Sequence, residues 1–152
     1  DRSRCRCTDG QITRYLQKVS GPMLDRIDIC VEASPITYGD IRSSGNNESS
    51  REIRARVEQA RKIQGERFAG ENIRCNGEMS GRHIRKFCGL GREEEKFMEE
   101  IFKKLALSAR MHDRILKVAR TTADLAEEEK IRLADLCEAV SYVKSRDKFW
   151  GN

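Results

Sequence analysis

The chain has 152 residues, with 38% hydrophobic and 36% charged side chains, which suits one domain with flanks and is too rich in Ile, Leu, Val and Phe for a wholly disordered chain. No stretch approaches the ~20 apolar residues of a bilayer-spanning helix, so the reading has no membrane partner. Thirty Lys and Arg against 25 Asp and Glu give a net charge of +5, which permits a nucleic-acid partner without demanding one. The start, Asp1-Arg2-Ser3-Arg4, has no apolar core of a secretory signal. That predicts a cytoplasmic protein, with Asp1 marking a cut inside a longer chain.

In chain order, residues 1–10 read as loop, closing on Asp9-Gly10. Gln11 to Lys18 is a predicted short helix. Ser20-Gly21-Pro22 breaks it and begins a turn through Met23, Leu24 and Arg26. Ile27 to Ala33 is a compact apolar run and is predicted as one short strand, a residue of a sheet whose other strands lie elsewhere. Residues 42–48 read as a flexible connector rich in Ser, Gly and Asn.

Beyond Pro35 there is no proline, and the remainder is predicted to be all helical. Ser49 and Glu52 form a capping box for a helix to about Arg67, with Ile53, Val57, Ala60 and Ile63 as its apolar stripe. Ser80 caps a short helix to Cys88, and Arg92 to Ala106 follows with Phe97, Ile101 and Leu105 on one face. Ser108 caps a helix to about Leu125, and Ile131 to Val143 is the last. The expected organisation is residues 1–41, a connector at 42–48, a helical domain at 49–143 and a flexible tail at 144–152.

Six cysteines are scattered along the chain, and Cys30, Cys88 and Cys137 read as small core hydrophobes. Cys5-Arg6-Cys7 supplies two thiols where tetrahedral zinc needs four ligands. It is compatible with free thiols in a loose terminus or with half of a zinc site completed elsewhere. No Gly-x-x-x-x-Gly-Lys-Ser/Thr loop occurs, and His83 and His112 are far apart, so the chain shows no catalytic centre of its own. In the helix after Ser108, Arg110, Arg114 and Lys117 lie within roughly 60° of one another. Met111, Ile115, Val118, Thr122 and Leu125 form a separate arc. The cation stripe reads either as a solvated face or as a phosphate clamp near a helix N-terminus.

Two stretches carry a resemblance. Ser20-Gly-Pro-Met-Leu-Asp-Arg-Ile-Asp28 and Ser108-Ala-Arg-Met-His-Asp-Arg-Ile-Leu-Lys-Val-Ala-Arg-Thr-Thr-Ala-Asp-Leu125 resemble motifs of the magnesium-chelatase-like AAA+ ATPases, and the chain is most similar to their competence-associated ComM (YifB) branch. Glu48-Ser-Ser-Arg-Glu-Ile-Arg54, Arg67-Phe68, Asn76 and Met79-Ser80-Gly81 also fit, with spacing kept over about residues 5–142. The resemblance implies a mainly α fold, the C-terminal helical lid bundle of an AAA+ ATPase with a short residual core strand at 27–33. It implies Arg26 as arginine finger and Arg110 as sensor 2, with Arg114 the runner-up. ATP and magnesium belong to the longer parent protein and none to this piece alone. Cys5 and Cys7 match the second half of a cysteine cluster that could hold zinc in the parent. Implied partners are other AAA+ subunits in a ring and, through the parent, DNA. The departure is the end: Tyr142 is followed by Val143 where the family carries Arg. The competing reading is a free-standing helical DNA-binding or adaptor module. Its weakness is that only 6% of residues are aromatic, few for stacking bases. A tetrapyrrole site has no support in the residues.

Overall fold

A computed structural model of the chain describes residues 5–24, 26–42 and 47–150. Among these the backbone is helix and loop. Residues up to Asn47 with those from Tyr142 onward form one compact unit, and Glu48–Ser141 form another.

In the first unit, α1 spans Asp9–Leu16. Thr8 Oγ1 accepts from the Gln11 amide, and Gln11 Oε1 accepts the Thr8 amide at 2.9 Å. This capping box moves the helix start back to Asp9, so Asp9-Gly10 opens a helix instead of closing a loop. A one-turn α2, Gly21–Leu24, follows with Pro22 in its first turn, where a missing amide hydrogen costs nothing. Its Leu24 is buried. The strand expected at Ile27–Ala33 does not form: the segment is irregular, with Ile29 and Val31 exposed. A strand needs a ladder partner, and the described residues provide none. Instead a short α3, Tyr38–Arg42, runs into the first residue of the expected connector, of which residues 43–46 lie outside the described residues.

The second unit is the helical bundle. Its elements are α4 (Ser50–Arg67), a 3₁₀ turn (Asn76–Glu78), α5 (Gly81–Phe87), α6 (Arg92–Lys104), α7 (Ala109–Leu125) and the first part of α8 (Leu133–Trp150). The starts follow from capping chemistry. Ser49 Oγ accepts from the Glu52 amide while Glu52 Oε2 accepts the Ser49 amide at 2.7 Å. His83 Nδ1 accepts the Ser80 amide at 3.1 Å, and Ser108 Oγ accepts the Met111 amide at 3.3 Å. Helix α6 carries Glu93, Glu94 and Glu95 in its first turn and Lys103 and Lys104 in its last, opposing the helix dipole at both ends. Helix α8 continues to Trp150, past the expected stop at Val143. Nothing between Val143 and Trp150 is a helix breaker, so most of the expected flexible tail is helical.

Helix α7 is the axis of this unit, packed against α4, α5 and the 3₁₀ turn. A helix with neighbours on several sides buries a wide arc, and the apolar face expected from sequence is too narrow. Met111 and Ile115 are buried as expected, but Val118, Thr122 and Leu125 are half-buried. Leu116, Ala119, Arg120, Ala123 and Asp124 are the further buried positions. The core around them is Ala60, Phe68, Met79, Ile84, Cys88, Met98, Ile101, Ile131, Leu136 and Val140. Phe68 and Phe87 meet edge to face at 5.3 Å. The expected α4 stripe is buried only in its C-terminal half. Ala60 is covered, whereas Ile53 and Val57 are 44% and 45% exposed, because the first turns of α4 stand clear of the bundle. Of the expected core cysteines, Cys88 is buried, Cys30 half-buried and Cys137 exposed.

Helices α6 and α7 end alike. After α6, Ala106 takes φ +45°. Its amide donates to Lys103 O, and the Leu107 amide donates to Phe102 O. After α7, Glu127 takes φ +57°, with its amide on Asp124 O and that of Glu128 on Ala123 O. Both are Schellman ends with a non-glycine residue in the left-handed position. Such a residue costs ~1–2 kcal/mol that glycine avoids, and Gly70, at φ +83° beyond α4, avoids it. Ala106→Gly should therefore raise stability by up to about 1 kcal/mol, and Gly70→Ala should lower it by about as much. Both are read from denaturant midpoints of the chain.

Candidate functional site

Helix α7 carries two features at opposite ends, about 21 Å apart at 1.5 Å per residue. At its C-terminal end lies a polar cluster in the core. Asp124 is fully buried. Its carboxylate takes both Nη atoms of Arg67 from α4, one at 2.7 Å to Oδ2 and the other to Oδ1. It also accepts from Arg120 Nε at 3.1 Å and from Asn76 Nδ2 at 2.8 Å. Arg120 also donates through Nη1 and Nη2 to the carbonyls of Glu129 and Glu128, at 2.9 and 2.6 Å. Asn76 closes the network: its amide N–H donates to Gln64 Oε1 at 3.1 Å and its Nδ2 to Thr121 Oγ1 at 3.0 Å. Among the described residues no buried side-chain polar atom is left without a partner. Burial lowers the Arg120 pKa from its ordinary value, against the pull of Asp124.

At the N-terminal end the three cations of the expected stripe differ. Arg110 is exposed on the first turn and makes no ion pair among the described residues. Arg114 is half-buried and engaged. Lys117 donates to Gly77 O at 3.0 Å. Arg110 thus stands beside the free amides of a helix N-terminus, where the dipole favours an anion. Beside it, Leu90, Met98, Phe102, Ala109 and His112 line a groove of about 470 Å³ with Glu95, Glu99 and Lys103 at its edge. Phe102 is 41% exposed here and meets His112 edge to face at 6.2 Å.

Arg26 belongs to the other unit. It is exposed and donates through Nη1 to Pro22 O at 2.8 Å. Cys5 and Cys7 are both exposed and close enough to interact: the hydrogen bond to Cys5 raises the Cys7 thiol pKa. Among the described residues no third His, Cys, Asp or Glu joins them, and no group of three exists elsewhere. Two thiols do not complete a tetrahedral zinc site, and among the described residues no carboxylate set fits magnesium. An exposed guanidinium at a helix N-terminus does fit an anionic phosphate.

The sequence reading gave no role to Arg67, Asn76, Arg120 or Asp124. The available signal was the Arg120–Asp124 spacing of four inside a run of small and apolar residues, Leu116, Ala119 and Ala123, where a charged pair is costly unless satisfied. Asp124→Ala should destabilise the chain by about 3–5 kcal/mol, because two guanidinium groups lose their counter-charge. Replacing the cluster together (Arg67→Met, Arg120→Met, Asp124→Leu) should recover part of that loss, measured by denaturant unfolding.

Burial pushes the neighbouring Cys88 thiol up to about 11 from 9.0. As pH rises above 9 the unfolded thiol loses its proton first, so the folded state holds more protons and stability falls between pH 9 and 11. Cys88→Ala should flatten that part of the stability profile.

Residues 47–143 match the family described as magnesium chelatase, subunit ChlI C-terminal, and residues 1–41 match magnesium chelatase, subunit ChlI. The chain is 39% identical over 138 residues to the competence protein ComM of Haemophilus influenzae. It is 40% identical over 139 residues to the uncharacterised protein YifB of Escherichia coli. Each alignment covers 90% of this chain and 26% of the relative. A Mycobacterium tuberculosis protein, Rv2897c, is 32% identical over 142 residues, covering 93% of this chain and 28% of the relative. The chain thus spans about a quarter of the length of the relatives it matches. No helix among the described residues is long and apolar enough to cross a membrane.

Proposed function

The chain belongs to the magnesium chelatase family, in its ComM (YifB) branch, and from that premise we propose that it is the helical lid and adjoining core segment of an AAA+ ATPase. In this reading Arg110 is the sensor 2 contact to bound nucleotide, and Arg26 is an arginine finger reaching the site of a neighbouring subunit in a ring. The observation that carries it is the state of Arg110: exposed, without an ion pair among the described residues, and mounted on a helix whose far end is locked by Asp124. Arg114 is the poorer candidate because it is half-buried and already engaged.

ATP supplies the phosphoryl group, and its phosphate loop and magnesium ligands belong to other parts of the longer protein. This chain contributes two cations. Arg110 holds a phosphate oxygen by charge-assisted hydrogen bonds. Because it rides on a rigid helix, a change in what it holds can move the bundle as one body. Arg26, steadied by the Pro22 carbonyl, places a guanidinium that cannot lose its proton against charge developing in the transition state. Supply from a neighbour makes hydrolysis depend on assembly. The parent is then a cytoplasmic ring ATPase acting on DNA, a branch-migration helicase in transformation, consistent with a relative named as a competence protein.

Arg26→Ala in the full-length protein should leave ATP binding nearly intact and remove most turnover, since the group acts mainly on the transition state. Mixing this variant with a Walker-B-dead variant should restore turnover, because an intact site can then face an intact finger. Stable mixed rings that regain no ATP turnover would overturn the assignment of Arg26 as a finger in trans.

A further inference from the structure

Several cations of the helical unit pair with acids. Arg67 and Arg120 share Asp124, Arg82 and Lys86 share Glu71, Arg56 pairs with Glu48, Lys103 with Glu99, and Arg132 with Glu128 and Asp135. Among the cations with no ion pair, four share one face of a single helix. Arg51, Arg54, Arg61 and Lys62 are all exposed on α4, and among the described residues none makes an ion pair. At 100° per residue they fall within a stripe roughly 100° wide. It runs about 17 Å along the helix axis at 1.5 Å per residue. Glu58 is the one acid on that arc. It stands four residues from both Arg54 and Lys62, the spacing that favours pairing, yet pairs with neither, and the stripe keeps a charge of +3. Every residue from Ser50 to Glu58 is exposed.

An exposed helix face edged with unpaired cations and no aromatic side chain meets a polyanion through its backbone, not through stacked bases. We propose that the Arg51, Arg54, Arg61 and Lys62 stripe of α4 binds the sugar–phosphate backbone of duplex DNA without regard to sequence. The major groove admits an α-helix, and guanidinium groups suit phosphate oxygens. The proposal does not rest on the roles given to Arg26 and Arg110, which lie on other elements. Ile53 and Val57, half-exposed on the adjacent arc, are the feature that would instead suit a second copy of this chain.

The test is fluorescence anisotropy of a labelled 30-base-pair duplex and of a 30-nucleotide single strand with the 152-residue chain, from 50 to 200 mM salt. Four phosphate contacts predict a slope of log affinity against log salt of about −3 to −4 for the duplex, and so roughly a hundredfold loss over that range. The quadruple variant Arg51→Ala, Arg54→Ala, Arg61→Ala, Lys62→Ala should bind the duplex at least tenfold more weakly with a flattened slope. Its melting temperature should hold, because all four side chains are exposed. Equal binding by the variant, a salt-independent affinity, or a clear preference for the single strand would overturn the proposal. So would sedimentation showing that the wild-type chain self-associates and that Ile53→Ser with Val57→Ser, not the cation variant, abolishes duplex binding.

Discussion

The bundle depends on one buried carboxylate. Asp124 lies inside the core with two guanidinium groups and one amide directed at it. Removing such charges from water is expensive, and the cost is met only when every donor and acceptor is used. Here, among the described residues, no buried side-chain polar atom lacks a partner: Arg67 gives a two-pronged contact, Arg120 donates to the carboxylate and to two carbonyls, and Asn76 links the group to Gln64 and Thr121. The cluster joins the end of α4, the 3₁₀ turn and the end of α7. It gives those elements one relative arrangement, which apolar packing alone would specify less sharply.

That arrangement divides labour along α7. Its far end is anchored by charge in the core, and its near end opens to solvent with Arg110 exposed beside the helix amides. A rigid rod transmits the position of the anchor to the tip, so the buried network and the exposed cation form one mechanical element although they never touch. Arg120 extends the anchor by holding the carbonyls of Glu128 and Glu129, which steers the chain from the left-handed end of α7 toward α8.

The same view orders the rest of the surface. Some cations of the bundle are matched by acids, Arg67 and Arg120 in the core and Arg56, Arg82, Lys86, Lys103 and Arg132 nearer the surface. Arg110 and the stripe of α4 are among those without an ion pair. Cysteines divide by environment in the same way. Cys88 sits among apolar side chains and is pushed toward its neutral form by burial, while Cys5 and Cys7 lie exposed together in the other unit.

Local chemistry was legible in the sequence. The capping boxes at Ser49 and the caps at Ser80 and Ser108 mark helix starts within a residue or two, because a cap is made by neighbours in the chain. The long motifs around Arg26 and Arg110 identify the family, because a run of side chains can be compared without knowing the fold. Contacts between distant residues were not legible. The strand at Ile27–Ala33 failed because a strand is a property of two segments, not of one. Val57 and Ile53 look buried on a helical wheel, but only packing decides that α4 outreaches the bundle. Arg67, Asn76 and Asp124 are ordinary polar residues in sequence, separated by up to 57 positions. The tertiary structure alone turns them into the anchor of α7, because only there does each meet the partners that make its burial tolerable.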